Sequence, residues 1–177
     1  KMHPKYAESA AKLSAWARER EDVRAVVLLG SQTRQKQAGD EWSDLDVLLL
    51  VDDPELYLRG DAWLAFLGLP VLAVVEQTPL DWLNLTWSVK RVLFTDNRAL
   101  DFSILPSARR ADVLALNAEI HQHGFQVLSA ADQAALEAEI LASLDGVKAA
   151  EPAPLGQAEM EGLVDSLLFQ LIWAGKK

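Results

Sequence analysis

The chain has 177 residues, of which 50% are hydrophobic and 24% charged, and its formal net charge is −9. This composition favours a folded protein over a disordered one, with room for one domain or one domain plus the start of another. The absence of cysteine excludes a disulfide framework and a thiolate metal site. An acidic chain without a long Lys/Arg cluster argues against a nucleic-acid partner, and it suits either a cationic small molecule or simple solubility.

The sequence predicts a cytoplasmic protein without a membrane segment. No apolar run approaches the roughly 20 residues needed to cross a bilayer. The first residues, Lys-Met-His-Pro-Lys, lack the apolar core of a signal peptide.

Hydrophobic periodicity and capping signals predict alternating helices and strands in the first part of the chain. Asp52-Asp53-Pro54 is a typical helix start, because Asp caps the first turn and Pro fits it. In chain order we expect a helix (6–20), a strand (23–29), a helical turn opened by Ser31 (31–37), a loop (38–40), a strand ending at 51, a helix stopping near 68 and a strand (71–75).

The second part predicts a hairpin followed by helices. Two strands (86–94 and 100–105) are joined by a polar connection at 95–98, which suits an antiparallel pair. Helices are expected at 108–118, 132–144 and 156–173, the last after a Pro-containing linker at 151–154. His121 and His123 are expected at the surface.

These elements predict an α/β (α+β) fold with a mixed, twisted sheet of about five strands. We expect helices mainly on one face of the sheet, and a helical region after it. The predicted domains are a catalytic domain (1–106), a helical extension (107–150) and the start of a helical C-terminal domain (151–177).

The most informative motif is Gly30-Ser31 followed, after twelve residues, by Asp44-Leu45-Asp46. Gly30 lets a phosphate approach the backbone because it has no Cβ, and Ser31 offers a hydroxyl and an N–H. Residues two apart on a strand point the same way, so both aspartates can bind one divalent ion. The spacing predicts a site for a nucleoside triphosphate and its magnesium.

Asp101 is predicted to complete this site. It lies in the apolar segment Leu100-Asp101-Phe102-Ser103-Ile104, where a lone buried acid would be costly without a partner or a cation. If its strand lies beside that of Asp46, three carboxylates converge and form an all-oxygen site for magnesium, with two ions expected.

These residues resemble the nucleotidyltransferase superfamily that includes DNA polymerase β, and more narrowly the aminoglycoside 6-adenylyltransferases, also called streptomycin adenylyltransferases. The superfamily pattern is Gly-Ser, a spacer, Asp-x-Asp and a third acid on a later strand. The narrower likeness involves these stretches: Leu28-Leu29-Gly30-Ser31-Gln32-Thr33-Arg34, Trp63-Leu64-Ala65-Phe66-Leu67-Gly68 and Leu100-Asp101-Phe102-Ser103-Ile104-Leu105-Pro106.

The resemblance implies transfer of AMP from ATP to a hydroxyl of an aminoglycoside, with magnesium as cofactor and release of pyrophosphate. By analogy Asp44 and Asp46 bind metal, and Asp101 completes the cluster or acts as general base. Ser31 and Arg34 would contact the triphosphate, although Arg34 is equally explained as a surface residue.

Two further residues are candidates for binding a substrate. Trp42, two residues before Asp44, could line the nucleotide or the acceptor pocket, and Glu161 on the last predicted helix could bind an amine of the acceptor or act as a second base. Core packing and a solvated helix face, respectively, are the simpler explanations of these residues. Two alternatives to the leading function remain open. One is a different acceptor, such as a lincosamide or a protein hydroxyl, and the other is a non-catalytic nucleotide-binding module.

Overall fold

The computed structural model describes residues 2–34, 39 and 43–146, which all belong to one compact unit spanning residues 1–147. Its helices are α1 (Pro4–Arg18), α2 (Glu55–Leu58), α3 (Arg110–Leu116), α4 (Ala118–His121) and α5 (Gln133–Ser143). Its strands are β1 (Val23–Leu29), β2 (Leu45–Val51), β3 (Pro70–Leu80), β4 (Leu85–Phe94), β5 (Ala99–Pro106) and β6 (Gln126–Ala130). Short 3-10 helices cover Ser31–Thr33, Ala62–Phe66, Asp81–Leu83, Ser107–Arg109 and Leu144–Gly146.

The strands form one mixed sheet in the order β3-β4-β5-β2-β1-β6. β2 and β5 run parallel, and every other neighbouring pair is antiparallel. The predicted β4–β5 hairpin is therefore correct. In its turn Asn97 takes a positive φ of 62°, and the Asp96 carboxylate accepts a hydrogen bond of 3.2 Å from the Arg98 N–H. The mixed α+β fold is confirmed.

The terminal helices of the described region begin at caps that the sequence supplies. His3 caps α1, because its Nδ1 accepts a 3.3 Å hydrogen bond from the Lys5 N–H, and Pro4 occupies the first turn. Asp132 caps α5 by accepting a 2.9 Å bond from the Ala135 N–H. None of the helices in the described ranges is long and apolar enough to cross a membrane.

The sheet separates two hydrophobic cores. Successive side chains of β1 and β2 point to opposite faces, and both faces are buried. On the first face Val26, Leu28 and Leu49 belong to a core that also includes residues of α1, α2 and the 3-10 helix at 62–66. On the second face Val27 and Leu48 belong to a core with residues of α3 and α5. Helices therefore cover both faces, whereas the sequence predicted mainly one.

Three expectations about individual elements were wrong. The helix predicted between Asp52 and Gly68 is broken into α2 and a 3-10 helix. The third predicted strand, residues 71–75, extends over all of β3. A sixth strand, β6, pairs antiparallel with β1 in a region where helices were expected. This strand has only five residues, so its periodicity is short, and its pairing with β1 is a long-range contact that local patterns do not reveal.

Candidate active site

The turn after β1 brings the backbone close to a carboxylate. Gly30 has φ 69° and ψ −152°, a conformation that favours glycine strongly, and it precedes the 3-10 helix at Ser31–Thr33. A Cβ at Gly30 would lie 2.8 Å from the Asp46 Cγ and would collide with the carboxylate oxygen. Ser31 therefore does not cap this helix as predicted, because Gly30 occupies the cap position and Arg34, with φ −59° and ψ 135°, ends the helix after Thr33. The rest of the predicted helical turn, residues 35–37, lies outside the described residues.

Hydrogen bonds connect the turn at Gly30–Ser31 to the segment that precedes β6. The single proton of the Thr33 hydroxyl has two backbone acceptors within reach, the Gly124 carbonyl at 2.8 Å and the Gly30 carbonyl at 3.0 Å. The Ser31 carbonyl accepts a bond of 2.8 Å from the Gly39 N–H. By contrast, the buried Ser31 Oγ has no hydrogen-bond partner among the described residues. A buried hydroxyl without a partner is costly, and a phosphate oxygen at this turn would supply one.

Three carboxylates converge beside this turn. Asp46 lies on β2, between two neighbouring strands. It pairs with Leu29 on the antiparallel strand β1 and with Asp101 on the parallel strand β5. Asp44 immediately precedes β2, and Asp44, Asp46 and Asp101 can each offer an oxygen within 4.8 Å of the others. The convergence predicted from the sequence is therefore present. It exists because β5 pairs with β2 in a register that sets the two acids side by side.

The cluster is electrostatically strained. Burial and the charges of Asp44 and Asp101 raise the pKa of Asp46 to about 6. Burial and the charge of Asp44 also raise the pKa of Asp101, although Arg91 opposes this rise. The Arg91 Nε lies 3.4 Å from an Asp101 oxygen.

The donor set fits a hard divalent cation. Oxygen ligands from carboxylates are what magnesium prefers, and a bound cation would relieve the mutual repulsion that raises these pKa values. Asp44, Asp46 and Asp101 would hold it. The three carboxylates come from one strand, the residue that precedes it and the neighbouring parallel strand, so strand pairing sets their separation.

A cavity of about 670 Å³ opens beside the turn and the first two acids. Gly30, Ser31, Arg34, Asp44 and Asp46 line one part of it. Leu29 of β1 and Val47 of β2 also line it. The remaining lining residues, which were not predicted from the sequence, come from β3, β4, β5 and the α3–α4 segment: Thr78, Leu80, Trp87, Ser103, Leu116, Asn117 and Ile120. The sequence did contain an indication for Ser103. This residue lies two positions after Asp101, so both side chains lie on the same face of the strand.

The other predicted residues have different outcomes. Arg34 is exposed and lines both this cavity and a second one, of about 930 Å³. Trp42 and Glu161 lie outside the described residues. His123 is exposed as expected, but His121 is buried, with both ring nitrogens lacking hydrogen-bond partners among the described residues.

The expectation that His121 lies at the surface was therefore wrong. This residue ends α4, and its ring packs edge-on against Phe125 with centroids 5.8 Å apart. Burial lowers its pKa to about 4, so the ring is neutral at neutral pH. Its burial follows from the return of the chain into β6, a strand that was not predicted from the sequence.

The sheet, the Gly30–Ser31 turn and the three converging acids define a nucleotidyltransferase-like domain. The sequence profile of the streptomycin adenylyltransferase family matches residues 5–134. The chain belongs to this family, which is named for nucleotidyl-transferring enzymes.

Two individual proteins were also matched. An aminoglycoside 6-adenylyltransferase from Bacillus subtilis (strain 168) is 30% identical over 101 residues, which are 55% of this chain and 35% of that protein. The crystal structure of an aminoglycoside 6-adenyltransferase from Bacillus subtilis has a TM-score of 0.45 at 21% identity, over 65% of this chain and 40% of the other. The matched region thus covers about a third of the curated relative's length.

Proposed function

We propose that this domain transfers AMP from ATP to a hydroxyl of an aminoglycoside such as streptomycin, with magnesium as cofactor. The observation that carries the proposal is the convergence of Asp44, Asp46 and Asp101 within 4.8 Å, beside the turn at Gly30. A phosphate-sized turn next to a hard-cation site is what a magnesium–triphosphate substrate requires. The family supports adenylyl transfer, and the name of the matched Bacillus subtilis protein supports an aminoglycoside acceptor.

In the proposed reaction the acceptor oxygen forms a bond to the α-phosphorus of ATP, and the bond from that phosphorus to pyrophosphate breaks. The acceptor's proton passes to the carboxylate of Asp101, the acid of the cluster that lies on β5. Ser31 would donate its hydroxyl to the triphosphate, and Arg34 would balance phosphate charge at the rim. When bound at the three acids, magnesium would stabilise the negative charge that develops on the phosphates.

The acceptor is proposed to be cationic, because the chain carries a net charge of −9 and an acidic surface attracts cations. Trp42 remains a proposed contact of the nucleotide or the acceptor, and Glu161 a proposed contact of the acceptor. ATP as co-substrate is consistent with a cytoplasmic protein, and we propose no nucleic-acid partner. The domain boundaries after residues 106 and 150 also remain proposals.

The test is pyrophosphate release from ATP, measured with and without magnesium and streptomycin. We expect release that requires both. Asp101→Asn should abolish it, since this change removes a proposed base and metal ligand with almost no change in side-chain volume. Asp52→Asn is the matched control, because Asp52 follows β2 at the end opposite Asp46 and is bound to Arg24 at 2.6 Å instead of to the acidic cluster.

Wild-type release with Asp52→Asn and none with Asp101→Asn would support the proposal. Normal turnover in Asp101→Asn would show that Asp101 has neither proposed role. Absence of release with every aminoglycoside, while magnesium-dependent ATP binding persists, would contradict the acceptor but not the nucleotide site. Release with a lincosamide or a protein acceptor instead would identify the alternative.

A further inference from the structure

The cavity beside the acidic cluster has two chemically different ends. The turn at Gly30–Ser31 and the acids of β2 make one end polar. The rest of the lining includes four large hydrophobic side chains, Leu80, Trp87, Leu116 and Ile120, which together we call the apolar end. This apolar end belongs to the same cavity as the proposed phosphate site.

The apolar wall is partly open to solvent. Leu116 is 38% exposed and Ile120 is 44% exposed, although each is a large hydrophobic side chain. Trp87 packs against the second-face core and also faces the cavity. Apolar side chains exposed together on a concave wall indicate a ligand with an apolar surface, because such a ligand would remove them from water.

The register of the hairpin explains why Trp87 points into the cavity. Trp87 pairs with Thr78 of β3 and lies four residues before Arg91, the partner of Asp101. Residues an even number of positions apart on a strand share a face, so Trp87, Arg91 and Asp101 lie on the same face of the sheet. The indole of Trp87 therefore lies on the second face of the sheet, the face that carries Asp101, and not in the core on the first face.

We propose that the apolar end binds the nucleobase of the nucleotide, with the base stacked on Trp87 and flanked by Ile120 and Leu116. This inference rests on the proposed function, which places the triphosphate at the polar end of the same cavity. A nucleotide combines an anionic chain with a planar aromatic group, as the cavity combines a phosphate turn with an aromatic wall. Thr78 and Ser103 lie in the same wall and can bind the polar edge of the base or the ribose hydroxyls.

An aminoglycoside fits this end less well. Its ammonium groups need carboxylates or other acceptors when they leave water. The described residues that wall the end around Trp87 include no acid, and the lining acids Asp44 and Asp46 are at the metal end. The base is therefore the occupant that the chemistry of this wall favours.

The test compares binding of ATP and of inorganic tripolyphosphate, each with magnesium, by isothermal titration calorimetry. Tripolyphosphate contacts only the polar end, so it separates base recognition from phosphate recognition. Trp87→Leu should weaken ATP binding about 5- to 150-fold, the range expected when one base loses its aromatic partner. Binding of tripolyphosphate should change by less than about 2-fold, and Trp87→Phe should retain most of the ATP affinity.

Trp82→Leu is the matched control. Trp82 is 73% exposed, lies in the neighbouring 3-10 helix and does not line the cavity, so this variant should bind ATP like the wild type. If Trp87→Leu fails to fold by circular dichroism, Ile120→Ala takes its place, since Ile120 is on the surface of α4. Ile120→Ala should weaken ATP by roughly 3- to 10-fold and spare tripolyphosphate.

Three results would overturn the inference. The folded Trp87→Leu variant could bind ATP like the wild type. Its affinities for ATP and for tripolyphosphate could fall by the same factor. It could also lose its affinity for streptomycin while keeping its affinity for ATP. The last result would assign the wall to the acceptor. Failure of the proposed function is distinguishable, because it would leave Trp87-dependent ATP binding intact while streptomycin-dependent pyrophosphate release is absent.

Discussion

Replacing Asp46 with asparagine is expected to stabilise the metal-free protein while removing its proposed activity. Burial and the charges of Asp44 and Asp101 raise the pKa of Asp46 from 3.8 to about 6. Each unit by which the folded pKa exceeds the unfolded pKa corresponds to about 1.36 kcal/mol. Ionised Asp46 therefore lowers the free energy of unfolding by about 3 kcal/mol at pH 8. Asparagine has nearly the same shape and carries no charge, so most of this cost should disappear. A site that is strained when empty and relieved by its cation is a known cost of function.

The pH dependence of this effect has a definite sign. The folded-state pKa of Asp46 lies above its unfolded value, so the cost is absent below about pH 4 and develops as the pH rises through about 6. Asp46→Asn should therefore exceed the wild type in stability at pH 8 and match it near pH 4. Added magnesium should stabilise the wild type at pH 8 and the variant much less, because a cation that binds only the folded state shifts unfolding.

The assay is urea unfolding in EDTA at pH 4 and pH 8, followed by circular dichroism, and then repeated with magnesium. Asp52→Asn is the control, because the Arg24 guanidinium lowers the pKa of Asp52 and the Ser107 hydroxyl donates to it at 2.9 Å. That variant loses favourable partners and should gain no stability. An Asp46→Asn protein that is no more stable than the wild type at pH 8 in EDTA would refute the reasoning.

Three further changes test other parts of the structure. Gly30→Ala should lose at least about 1–3 kcal/mol of unfolding free energy from backbone strain alone, and magnesium binding measured by calorimetry should fall because the new Cβ displaces Asp46. Lys90→Met should cost about 2–4 kcal/mol in urea unfolding, because the buried ammonium donates to three backbone carbonyls (2.6–3.3 Å) and contacts Asp61 at 2.6 Å. His121 should titrate near pH 4 by NMR, with its resonance assigned by its loss in His121→Gln. The pKa of His121 is lower in the folded protein than in the unfolded chain, so its stabilising contribution is fully present above about pH 6.5. Up to about 3 kcal/mol of unfolding free energy is lost as the pH falls to about 4. A ring that titrates near 6.5 would contradict its burial.

The parts of the site that the sequence predicted are those governed by local geometry. Gly30 and Ser31 end an apolar run, and Asp44 and Asp46 are two residues apart at the start of another. Strand periodicity alone therefore places the turn and both acids at the ends of buried strands. Asp101 was predicted by a different argument, because a carboxylate inside an apolar strand needs a compensating partner.

The base-binding wall and the buried histidine could not be predicted in this way. Trp87 faces the cavity only because β4 pairs with β5 in one register, and Leu116 and Ile120 line the same cavity from a helical segment more than 25 residues further along the chain. His121 is buried because β6 adds to β1, a pairing between segments separated by about 100 residues. Such contacts leave no periodic signal in either segment.

The sequence by itself determined five of the six strands, the Gly30–Ser31 turn and the three acids, because each depends on side-chain alternation, glycine's backbone freedom or the cost of an isolated buried charge. The tertiary structure decided which strands are neighbours, that β2 and β5 align Asp46 with Asp101, and that helices cover both faces of the sheet. Pairing between distant segments is selected by the packing of the whole core. The separation of the carboxylates and the aromatic wall beside them therefore appear only once the sheet is assembled.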